Sequence, residues 1–427
     1  MRADVQHDGR ETMRIVMIGP FGMRPRGTMG VRALPMAQAL VERGHAVTMV
    51  MPPWQNPEDA GRCWRESGVE IENVPLPPGA AGLFHLSTAL RLARRARALR
   101  PDVVHLFKPK AYSGLAHWLL AHWAGALSGT HRARLVVDTD DWEGPGGWNA
   151  IADYSLAQRR FFAWQERWGL THADAVTVAS RTLQSLVWAL GVPPARVFYL
   201  PNGGAGSRME TSAVNEEHAS NFAAPTILLY TRFFEFPVSR VIQVFKRVRE
   251  RMPQVHLLVV GQGLFGEETE LFRQAAQVGL TVGEEISPDG APVRALAHDI
   301  TYVGWAPAET LPAYFARADV AIYPFDDTLL NRSKCAVKLY DLLAAGVPVV
   351  AEAVGENREM IHHGETGWLT PPGDEAAFAG ALLRLLEENR LRERLGRAAA
   401  RDMRRRRSWQ VLVETVERAY GMSKGER

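Results

Sequence analysis

The stretch Val337-Lys-Leu-Tyr-Asp-Leu-Leu-Ala-Ala-Gly-Val-Pro-Val-Val-Ala351 places a helical pattern directly before a buried strand. Apolar residues recur at helical spacing up to Ala345, and Gly346 and Pro348 then interrupt the pattern. A short apolar run follows, which predicts a strand from Val347 to Ala351. A helix that leads into a wholly apolar strand is typical of a parallel sheet covered by helices on both faces. The stretch therefore predicts an α/β domain in the second half of the chain.

The same alternation of strand and helix extends on both sides of this stretch. In the second half, strands are predicted at Pro225–Tyr230, Val255–Val260, Ile300–Val303 and Val320–Tyr323, and helices at Val238–Arg251, Leu311–Ala318 and Glu375–Asn389. In the first half, strands are predicted at Arg14–Gly19, Ala46–Met51, Pro101–Phe107, Arg134–Asp138, Ala173–Val178 and Arg196–Leu200, and a helix at Val31–Arg43. Residues 391–420 are predicted to be helical. The chain thus contains two α/β units.

The polar segment 208–223 has no clear periodicity and is predicted to link the two units. The predicted organisation is a disordered tail over residues 1–12, a first domain over 13–207, the linker over 208–223 and a second domain over 224–404. Ligands of open α/β sheets bind beyond the carboxyl ends of the strands, so a cleft between two such sheets is the expected site.

Composition narrows the classes of function. The chain has 427 residues, of which 46% are hydrophobic and 23% charged, and this balance is typical of a globular protein. A net charge of +3 gives no strong field for nucleic acid, so no nucleic-acid partner is expected. Its two cysteines, Cys63 and Cys335, form neither a disulfide framework nor a metal-ligand motif. No secretion signal or membrane-spanning stretch is recognised, so the expected location is the cytoplasm.

Several motifs together resemble one enzyme family. In the second half these are the stretch from Val337 to Ala351, then Gly355-Glu-Asn-Arg-Glu359 and the segment from Gly364 to Asp374. In the first half they are Gly44-His45, Val137–Asp141, Ala173–Ser180 and Pro201-Asn-Gly203. This pattern resembles the retaining GT-B glycosyltransferases of the glycogen-synthase and sucrose-synthase type, known as glycosyltransferase family four. The resemblance extends over almost the whole chain after the tail.

The resemblance implies two Rossmann-like domains that face each other across a cleft, with residues 405–427 crossing back to complete the first domain. It implies metal-independent transfer of a sugar, with retention, from a nucleotide diphosphate sugar to a hydroxyl of a glycan, lipid or small molecule. UDP or GDP is the expected nucleotide, and no cofactor is expected. The donor would lie on the second domain and the acceptor mainly on the first.

Cations and amide groups must meet the charge that develops on a departing diphosphate. Arg232 matches the arginine that the family uses after the first strand of the second domain. Pro237 stands where the family has a lysine, and we infer that Lys338 substitutes for it. The amides of Ala336 and Val337, at the start of a helix, are expected to bind phosphate as they do in the family.

The family also has a paired-glutamate motif, and both of its positions are altered here. Asp341 occupies the second acidic position and would accept hydrogen bonds from the ribose. Ser333 occupies the first, where the family's glutamate contacts the donor sugar, so the sugar contact is changed. The candidates for a replacement contact are Asn331, Asp326 and Asp327, and the sequence does not choose among them.

Other expected donor contacts come from two loops. Gly27 and Thr28 belong to a glycine-bearing loop that would approach the phosphates and the reacting carbon, because glycine lets the backbone come near a ligand. This loop lacks the G-x-G-x-x-G spacing of dinucleotide dehydrogenases. Trp305 and Ala306 match the loop that holds the base in the family. Trp305 either stacks on the base or packs against the protein.

The segment Asp138-Thr-Asp-Asp141 allows three interpretations. D-x-D after a strand binds a divalent metal in another glycosyltransferase architecture, but that architecture lacks a second Rossmann-like unit. The family more often has histidine at the place of Asp140, in contact with the donor sugar, so Asp140 is a candidate contact for a sugar hydroxyl or an acceptor. The third interpretation is a cap at the strand end.

The resulting hypothesis is front-face transfer, in which the leaving diphosphate helps to remove the acceptor's proton and the protein supplies position and charge. Arg232, Lys338 and Asp140 are its candidate catalytic residues. The alternatives are a non-catalytic protein that binds sugar nucleotides, and an epimerase or phosphorylase of the same architecture. The arginine-rich segment from Arg91 to Arg100 suggests peripheral contact with a membrane surface or a solvated helix face.

Overall fold

The computed structural model describes residues 12–24, 27–78, 81–126, 132–204, 224–284 and 298–422. The predicted linker and all but the last residue of the predicted tail lie outside the described residues. The chain divides into two compact units. Unit 1 contains the chain up to Pro201 and from Leu412 onward, and unit 2 contains Asn202–Val411.

The described part of unit 1 contains one sheet of eight strands. The strands are β1 (Arg14–Ile18), β2 (Ala46–Met51), β3 (Cys63–Glu66), β4 (Val69–Asn73), β5 (Val103–Phe107), β6 (Arg134–Thr139), β7 (Ala175–Val178) and β8 (Val197–Tyr199). Their order across the sheet is β3-β4-β2-β1-β5-β6-β7-β8. Only the edge pair β3–β4 is antiparallel, and the remaining pairs are parallel.

Helices connect these strands, as parallel pairing requires. A short π-helical turn, Met29–Ala33, leads into the first of them. The helices are α1 (Leu34–Glu42), α2 (Ala81–Ala98), α3 (Ala111–Ala126), α4 (Trp148–Ile151), α5 (Leu156–His172) and α6 (Arg181–Ala189). The helix predicted over Val31–Arg43 therefore begins two residues earlier, at Met29, as a π-helix.

Strand β1 lies at the centre of this sheet, with Ile15 opposite Val47 on one side and Val103 on the other. Four of its five residues are buried, because helices cover both faces of a parallel sheet. This explains why the central strands are continuous apolar runs without alternation.

Unit 2 contains a sheet of seven parallel strands within its described residues. They are β9 (Thr226–Tyr230), β10 (His256–Val260), β11 (Val282–Glu284), β12 (Ile300–Gly304), β13 (Val320–Tyr323), β14 (Val349–Glu352) and β15 (Trp368–Thr370). Their order is β11-β12-β10-β9-β13-β14-β15. The order reverses beside β9, and ligands of such sheets bind beyond the strand ends at this point.

The helices that follow are α7 (Val238–Arg251), α8 (Glu268–Gln277), α9 (Leu311–Phe315), α10 (Leu329–Ser333), α11 (Val337–Ala344), α12 (Asn357–Met360), α13 (Glu375–Glu387), α14 (Asn389–Arg407) and α15 (Trp409–Ala419). The predicted helical segment 391–420 is thus interrupted at Ser408, which has extended backbone and pairs with Gly204. From Leu412 onward α15 belongs to unit 1. There Glu417 accepts two hydrogen bonds from Arg43, both at 2.6 Å.

Candidate functional site

A pocket lies at the carboxyl ends of β9 and β13 in unit 2. Its lining includes Tyr230, Arg232, Glu235, Tyr323, Phe325 and Lys338. Two predicted site residues, Arg232 and Lys338, therefore meet in one pocket although more than one hundred residues separate them. The pocket lies where the strand order of the sheet reverses.

A tight turn after β9 positions Arg232. Its neighbours Thr231 and Phe233 are buried, whereas Arg232 is exposed. Phe233 has φ +66°, a left-handed conformation that is unusual for a bulky residue. The Phe233 N–H donates to Thr231 Oγ1 at 2.7 Å, and this hydrogen bond fixes the turn. The described residues offer no side-chain hydrogen bond or ion pair to the Arg232 guanidinium, so it is available to an anion.

Lys338 reaches the same pocket from the first turn of α11. Its Nζ lies 4.6 Å from the centroid of the Tyr230 ring. Burial lowers the pKa of Lys338 to about 8, the carboxylates of Glu235 and Asp341 oppose that shift, and the charge of Arg232 adds to it. An anion in the pocket would stabilise the charged form of Lys338.

A further cation, which the sequence interpretation missed, lies beside these residues. Lys334 Nζ is 3.1 Å from Glu235 Oε1 and 3.8 Å from the centroid of the Phe234 ring. Since Lys334 pairs with Glu235, it compensates the acid that lines the pocket. Its position one helical turn before Lys338 in the sequence was the available signal.

The start of α11 adds amide donors near Lys338. Ala336 precedes the helix in an extended conformation, and no side chain caps the first turn. Uncapped first-turn amides and the helix dipole favour an anion. Asp341 lies one turn further along α11, is partly buried and acts electrostatically on Lys338.

Ser333 does not lie at the pocket surface. It is fully buried, and its Oγ donates to the Leu330 carbonyl at 2.7 Å. The geometry therefore does not support the predicted contact between Ser333 and the donor, because the hydroxyl is used within α10.

The three residues that were open as replacements for Ser333 also have partners. Asn331 is buried, and its Nδ2 donates to the carbonyls of Glu235 and Asp326 at 2.8 and 3.0 Å. Asp326 forms an ion pair with Arg240 at 2.5 Å, and Asp327 forms one with Arg332. These contacts hold the loop between β13 and α11 in place beside the pocket.

The loops after β9, β10 and β12 are held together by backbone hydrogen bonds. Gly261 N–H donates to the Gly304 carbonyl at 2.7 Å, and Thr231 N–H donates to the Val260 carbonyl at 3.0 Å. Trp305, which follows Gly304 in the chain, has 63% of its surface exposed. It is therefore not packed into unit 2, and its ring is accessible for stacking. Ala306 beside it is partly buried.

In unit 1, Thr28 and Asp140 are in direct contact. Thr28 Oγ1 donates to Asp140 Oδ2 at 2.7 Å, and Lys108 Nζ lies 2.9 Å from Oδ1 of the same carboxylate. Gly27 forms the turn before the helix, where its carbonyl accepts from the amides of Gly30 and Val31 at 2.9 and 3.0 Å. The structure thus brings two of the predicted unit 1 residues together and adds Lys108, which the prediction lacked.

The first aspartate of the D-x-D motif has a structural role. Asp138 is fully buried and accepts hydrogen bonds from Arg32 Nε and Nη2 at 2.8 and 2.7 Å. Its Oδ2 also accepts from Thr177 Oγ1 at 2.6 Å. Among the described residues there is no group of three or more His, Cys, Asp or Glu that could hold a metal ion. Asp138 is therefore a structural ion-pair residue.

A second charged group lies near Lys108. Lys110 Nζ is 2.6 Å from both Glu143 Oε2 and the Tyr154 hydroxyl. The Glu143 N–H donates to Glu166 Oε1 at 3.0 Å. Burial raises the pKa of Glu166 to about 8, which makes this carboxyl neutral at pH 7. At pH 7 the group of Lys110, Glu143 and Glu166 therefore lacks the negative charge that an ionised Glu166 would add.

None of the described helices is both long and apolar enough to cross a membrane.

Two family descriptions match the chain. Residues 27–203 match the glycosyl transferase 4-like domain, and residues 224–388 match the glycosyl transferases group 1. The first match lies in unit 1 apart from its last two residues. The second lies in unit 2 and contains the pocket with Arg232 and Lys338.

Individual proteins are similar over most of the chain. The phosphatidyl-myo-inositol mannosyltransferase of Mycobacterium leprae is 27% identical over 429 residues, with 96% of each chain covered. The GDP-mannose-dependent alpha-(1-6)-phosphatidylinositol monomannoside mannosyltransferase of Mycolicibacterium smegmatis is 25% identical, with 83% of this chain and 84% of the relative covered. The sucrose-phosphate synthase structure from Thermosynechococcus elongatus superposes with a TM-score of 0.70 at 19% identity, covering 96% of this chain and 98% of the other. That superposition establishes the fold.

Proposed function

The chain belongs to the family-four glycosyltransferases with the GT-B fold, and from that premise we propose that Arg232 and Lys338 bind the diphosphate of its nucleotide-sugar donor. The observation that carries this proposal is that both cations line one pocket beside the uncapped start of α11. A diphosphate needs several cationic or amide donors, and the pocket offers both kinds.

Lys338 takes the role of the lysine that is missing at Pro237. Pro237 precedes α7, has no side-chain charge and is exposed. Lys338 compensates because it enters the pocket from α11, opposite the turn that carries Arg232. Two fixed cations and the α11 amides would then stabilise the departing diphosphate without a metal ion. Asp341 would accept hydrogen bonds from the ribose.

The reaction that fits these groups is front-face transfer with retention. The bond between the anomeric carbon and the diphosphate oxygen breaks, the acceptor hydroxyl forms the new bond on the same face, and its proton passes to the diphosphate. Arg232 and Lys338 would stabilise the developing negative charge, which is the largest single contribution that such sites make. Substrate positioning supplies the rest.

GDP-mannose is the first donor to test, because both relatives named above are mannosyltransferases and one is named as GDP-mannose-dependent. UDP sugars form the second donor class. The acceptor in this proposal is a hydroxyl, and a phosphoinositide lipid is the first to test because the names of the same relatives contain it.

A lipid acceptor would require contact with a membrane surface, and α2 has side chains suited to that contact. Leu83 and Leu86 are 73% and 54% exposed, and Arg94 and Arg97 are also exposed. Arg95 pairs with Glu72 at 2.6 Å and is excluded from this set. Leucines and arginines exposed on the same helix favour binding to anionic lipid. The Arg94→Gln/Arg97→Gln protein should sediment less with phosphatidylglycerol vesicles, and unchanged sedimentation would remove α2 from the proposal.

Binding of the nucleotide is tested by thermal unfolding with GDP, UDP, ADP and TDP, each with and without EDTA. A ligand that binds only the folded state raises Tm, and ligand at about 100 times its Kd contributes roughly 2.7 kcal/mol. We expect GDP or UDP to raise Tm equally with and without EDTA. A shift that EDTA abolishes would contradict the metal-free site, and no shift with any of the four would contradict the pocket assignment.

A further inference from the structure

Lys108 is held in a conformation that costs free energy. It follows β5 with φ +56°, and Ala111 shortly after it has φ +50°. Left-handed backbone at residues other than glycine persists when the surrounding contacts enforce it, and such residues concentrate at functional sites. Here the Lys108 N–H donates to the Asp138 carbonyl at 2.9 Å, and the Lys108 carbonyl accepts from Lys110 N–H at 2.7 Å. The strained loop therefore fixes where the Lys108 side chain begins.

The side chain of Lys108 joins two carboxylates. Its Nζ lies 2.9 Å from Asp140 Oδ1 and 2.6 Å from Asp141 Oδ2. The side chains of Lys108 and Asp140 are 13% and 12% exposed, so water screens their attraction only in part. Burial of a charged pair is costly, and in some proteins such pairs are retained because they fix a geometry.

Asp140 is held from a second direction by Thr28, whose Oγ1 donates to Oδ2 at 2.7 Å. A carboxylate can accept about four hydrogen bonds. Thr28 uses one of them on Oδ2, and Oδ1 is held by the ion pair with Lys108. Asp140 therefore keeps acceptor capacity for a ligand hydroxyl, in a fixed orientation. Neither Thr28 nor Lys108 lies near Asp140 in the sequence, so the fold assembles this arrangement.

From this geometry we propose that Lys108 is a positioning residue, which keeps Asp140 ionised and oriented to accept a hydrogen bond from a hydroxyl of the transferred sugar. The inference rests on the proposed function, because it assumes a sugar substrate. Asp140 is the group that touches the sugar, and Lys108 acts through Asp140.

The ionisation of Asp140 supplies a test that a purely structural role would not affect. Burial alone would raise the pKa of Asp140, but Lys108 and Arg32 outweigh it and hold the pKa below the usual value. Without the Lys108 charge, the pKa of Asp140 should rise, as expected for loss of an adjacent opposite charge. The decrease in activity that accompanies protonation of Asp140 would then occur at a higher pH. The charged groups around Asp140 that enter this argument are Lys108, Arg32, Asp141, Glu143 and Lys110.

The experiment compares Lys108→Met, Lys108→Arg and unsubstituted protein for release of GDP from GDP-mannose, or of UDP from UDP-glucose, between pH 4.5 and 9. We expect Lys108→Met to lower kcat/KM about tenfold and to raise the pH at which activity decreases on the acidic side of the profile. In Lys108→Arg that pH should return to the value of the unsubstituted protein. Lys246→Met, an exposed lysine on α7, is the matched control and should leave rate and pH profile unchanged. If Lys108→Met does not fold, Asp140→Asn is measured in its place, because asparagine has the shape of aspartate but cannot ionise. Its kcat/KM should be lower, and the decrease in activity towards acidic pH should be absent.

Binding of GDP and UDP, measured by calorimetry on the same proteins, separates the two proposals. If Lys108→Met binds nucleotide and has the same rate and pH profile as the unsubstituted protein, the proposed role of Lys108 is wrong. The proposed function would not be affected by that result. A normal rate in Asp140→Asn would overturn it as well. Absence of GDP and UDP binding in the unsubstituted protein would overturn the proposed function, and the inference with it.

Discussion

Arg32 and Asp138 form a fully buried ion pair in unit 1, with Nε 2.8 Å from Oδ1 and Nη2 2.7 Å from Oδ2. Arg32 Nη2 also donates to the Leu200 carbonyl at 2.8 Å, so the pair joins the start of the first helical segment to β6 and to the end of unit 1. Asp138 lies two residues before Asp140, which Thr28 contacts. We infer that this pair holds the first helical segment and β6 in the relative positions that the unit 1 site requires.

Removal of one partner should be costly, because the other is left charged and buried. Arg32→Met is expected to lower the free energy of unfolding of unit 1 by about 3–5 kcal/mol. The measurement is urea unfolding followed by circular dichroism. The exposed pair of Arg65 and Glu70, 3.1 Å apart, provides the control, and Arg65→Met should cost less than about 1 kcal/mol. Equal losses in the two variants would refute the structural role of Arg32.

Gly261 should tolerate no side chain. It has φ +129°, and an added Cβ would lie 1.9 Å from the Thr231 carbonyl oxygen. Gly261→Ala must therefore displace the turn that carries Arg232 and should weaken nucleotide binding as well as stability. Gly266 is the matched control, since it has φ +82° but no atom within 4 Å of an added Cβ.

Gly266→Ala should cost only the left-handed strain of about 1–2 kcal/mol. Gly261→Ala should cost at least about twice as much, because steric overlap adds to strain. Thermal unfolding and GDP titration measure the two effects. The close approach at Thr231 would be unimportant if both variants behaved alike.

Lys338 should make binding of the diphosphate depend on pH. Burial lowers the pKa of Lys338 to about 8, so the free protein loses this charge as the pH rises through 8. We expect affinity for GDP or UDP to fall between pH 7.5 and 9.5. In Lys338→Arg the fall should disappear, because arginine stays charged over this range. Calorimetry at several pH values measures it, and a pH-independent affinity in the unsubstituted protein would exclude Lys338 from the site.

Glu166 should make unit 1 less stable at alkaline pH. Burial raises the pKa of Glu166 to about 8, above its usual value near 4.5, so the folded state holds a proton that the unfolded state releases. Stability contributed by the neutral carboxyl is complete below about pH 4.5 and is lost as the pH rises through 8. Glu166→Gln cannot ionise, so its Tm relative to the unsubstituted protein should rise from pH 6 to pH 9. A constant difference in Tm would show that Glu166 does not titrate in this range.

Much of the fold follows from local pattern. Strand β13 is buried along its whole length and appears in the sequence as a continuous apolar run, so its predicted bounds match the structure. The predicted bounds of β2, which is mostly buried, match as well. The edge hairpin of β3 and β4 was missed, because an edge strand has one polar face and Cys63–Glu66 contains charged residues. Its turn at Ser67-Gly68, where both residues have positive φ, was the signal that could have revealed it.

The candidate sites were predictable in part. Arg232 could be selected because it matches the arginine of the family that the chain resembles, and Lys338 because it stands on the turn that faces the diphosphate in that family. The structure brings them to one pocket. Lys108 could not be paired with Asp140 from the sequence, because the contact depends on the neighbouring positions of β5 and β6. The burial of Ser333 could not be predicted from the sequence either, because it depends on a short helix in which the Ser333 hydroxyl donates to the Leu330 carbonyl.

The central claim is that Arg232 and Lys338 together bind the diphosphate of the donor. The most direct measurement is calorimetric titration of GDP and UDP into unsubstituted, Arg232→Ala, Lys338→Met and Arg251→Ala proteins, the last being an exposed arginine on α7. Each of the first two substitutions should weaken binding at least about tenfold, since charge-assisted hydrogen bonds contribute about 1.5–3 kcal/mol, and Arg251→Ala should bind normally. Binding that is unchanged in both Arg232→Ala and Lys338→Met would contradict the claim.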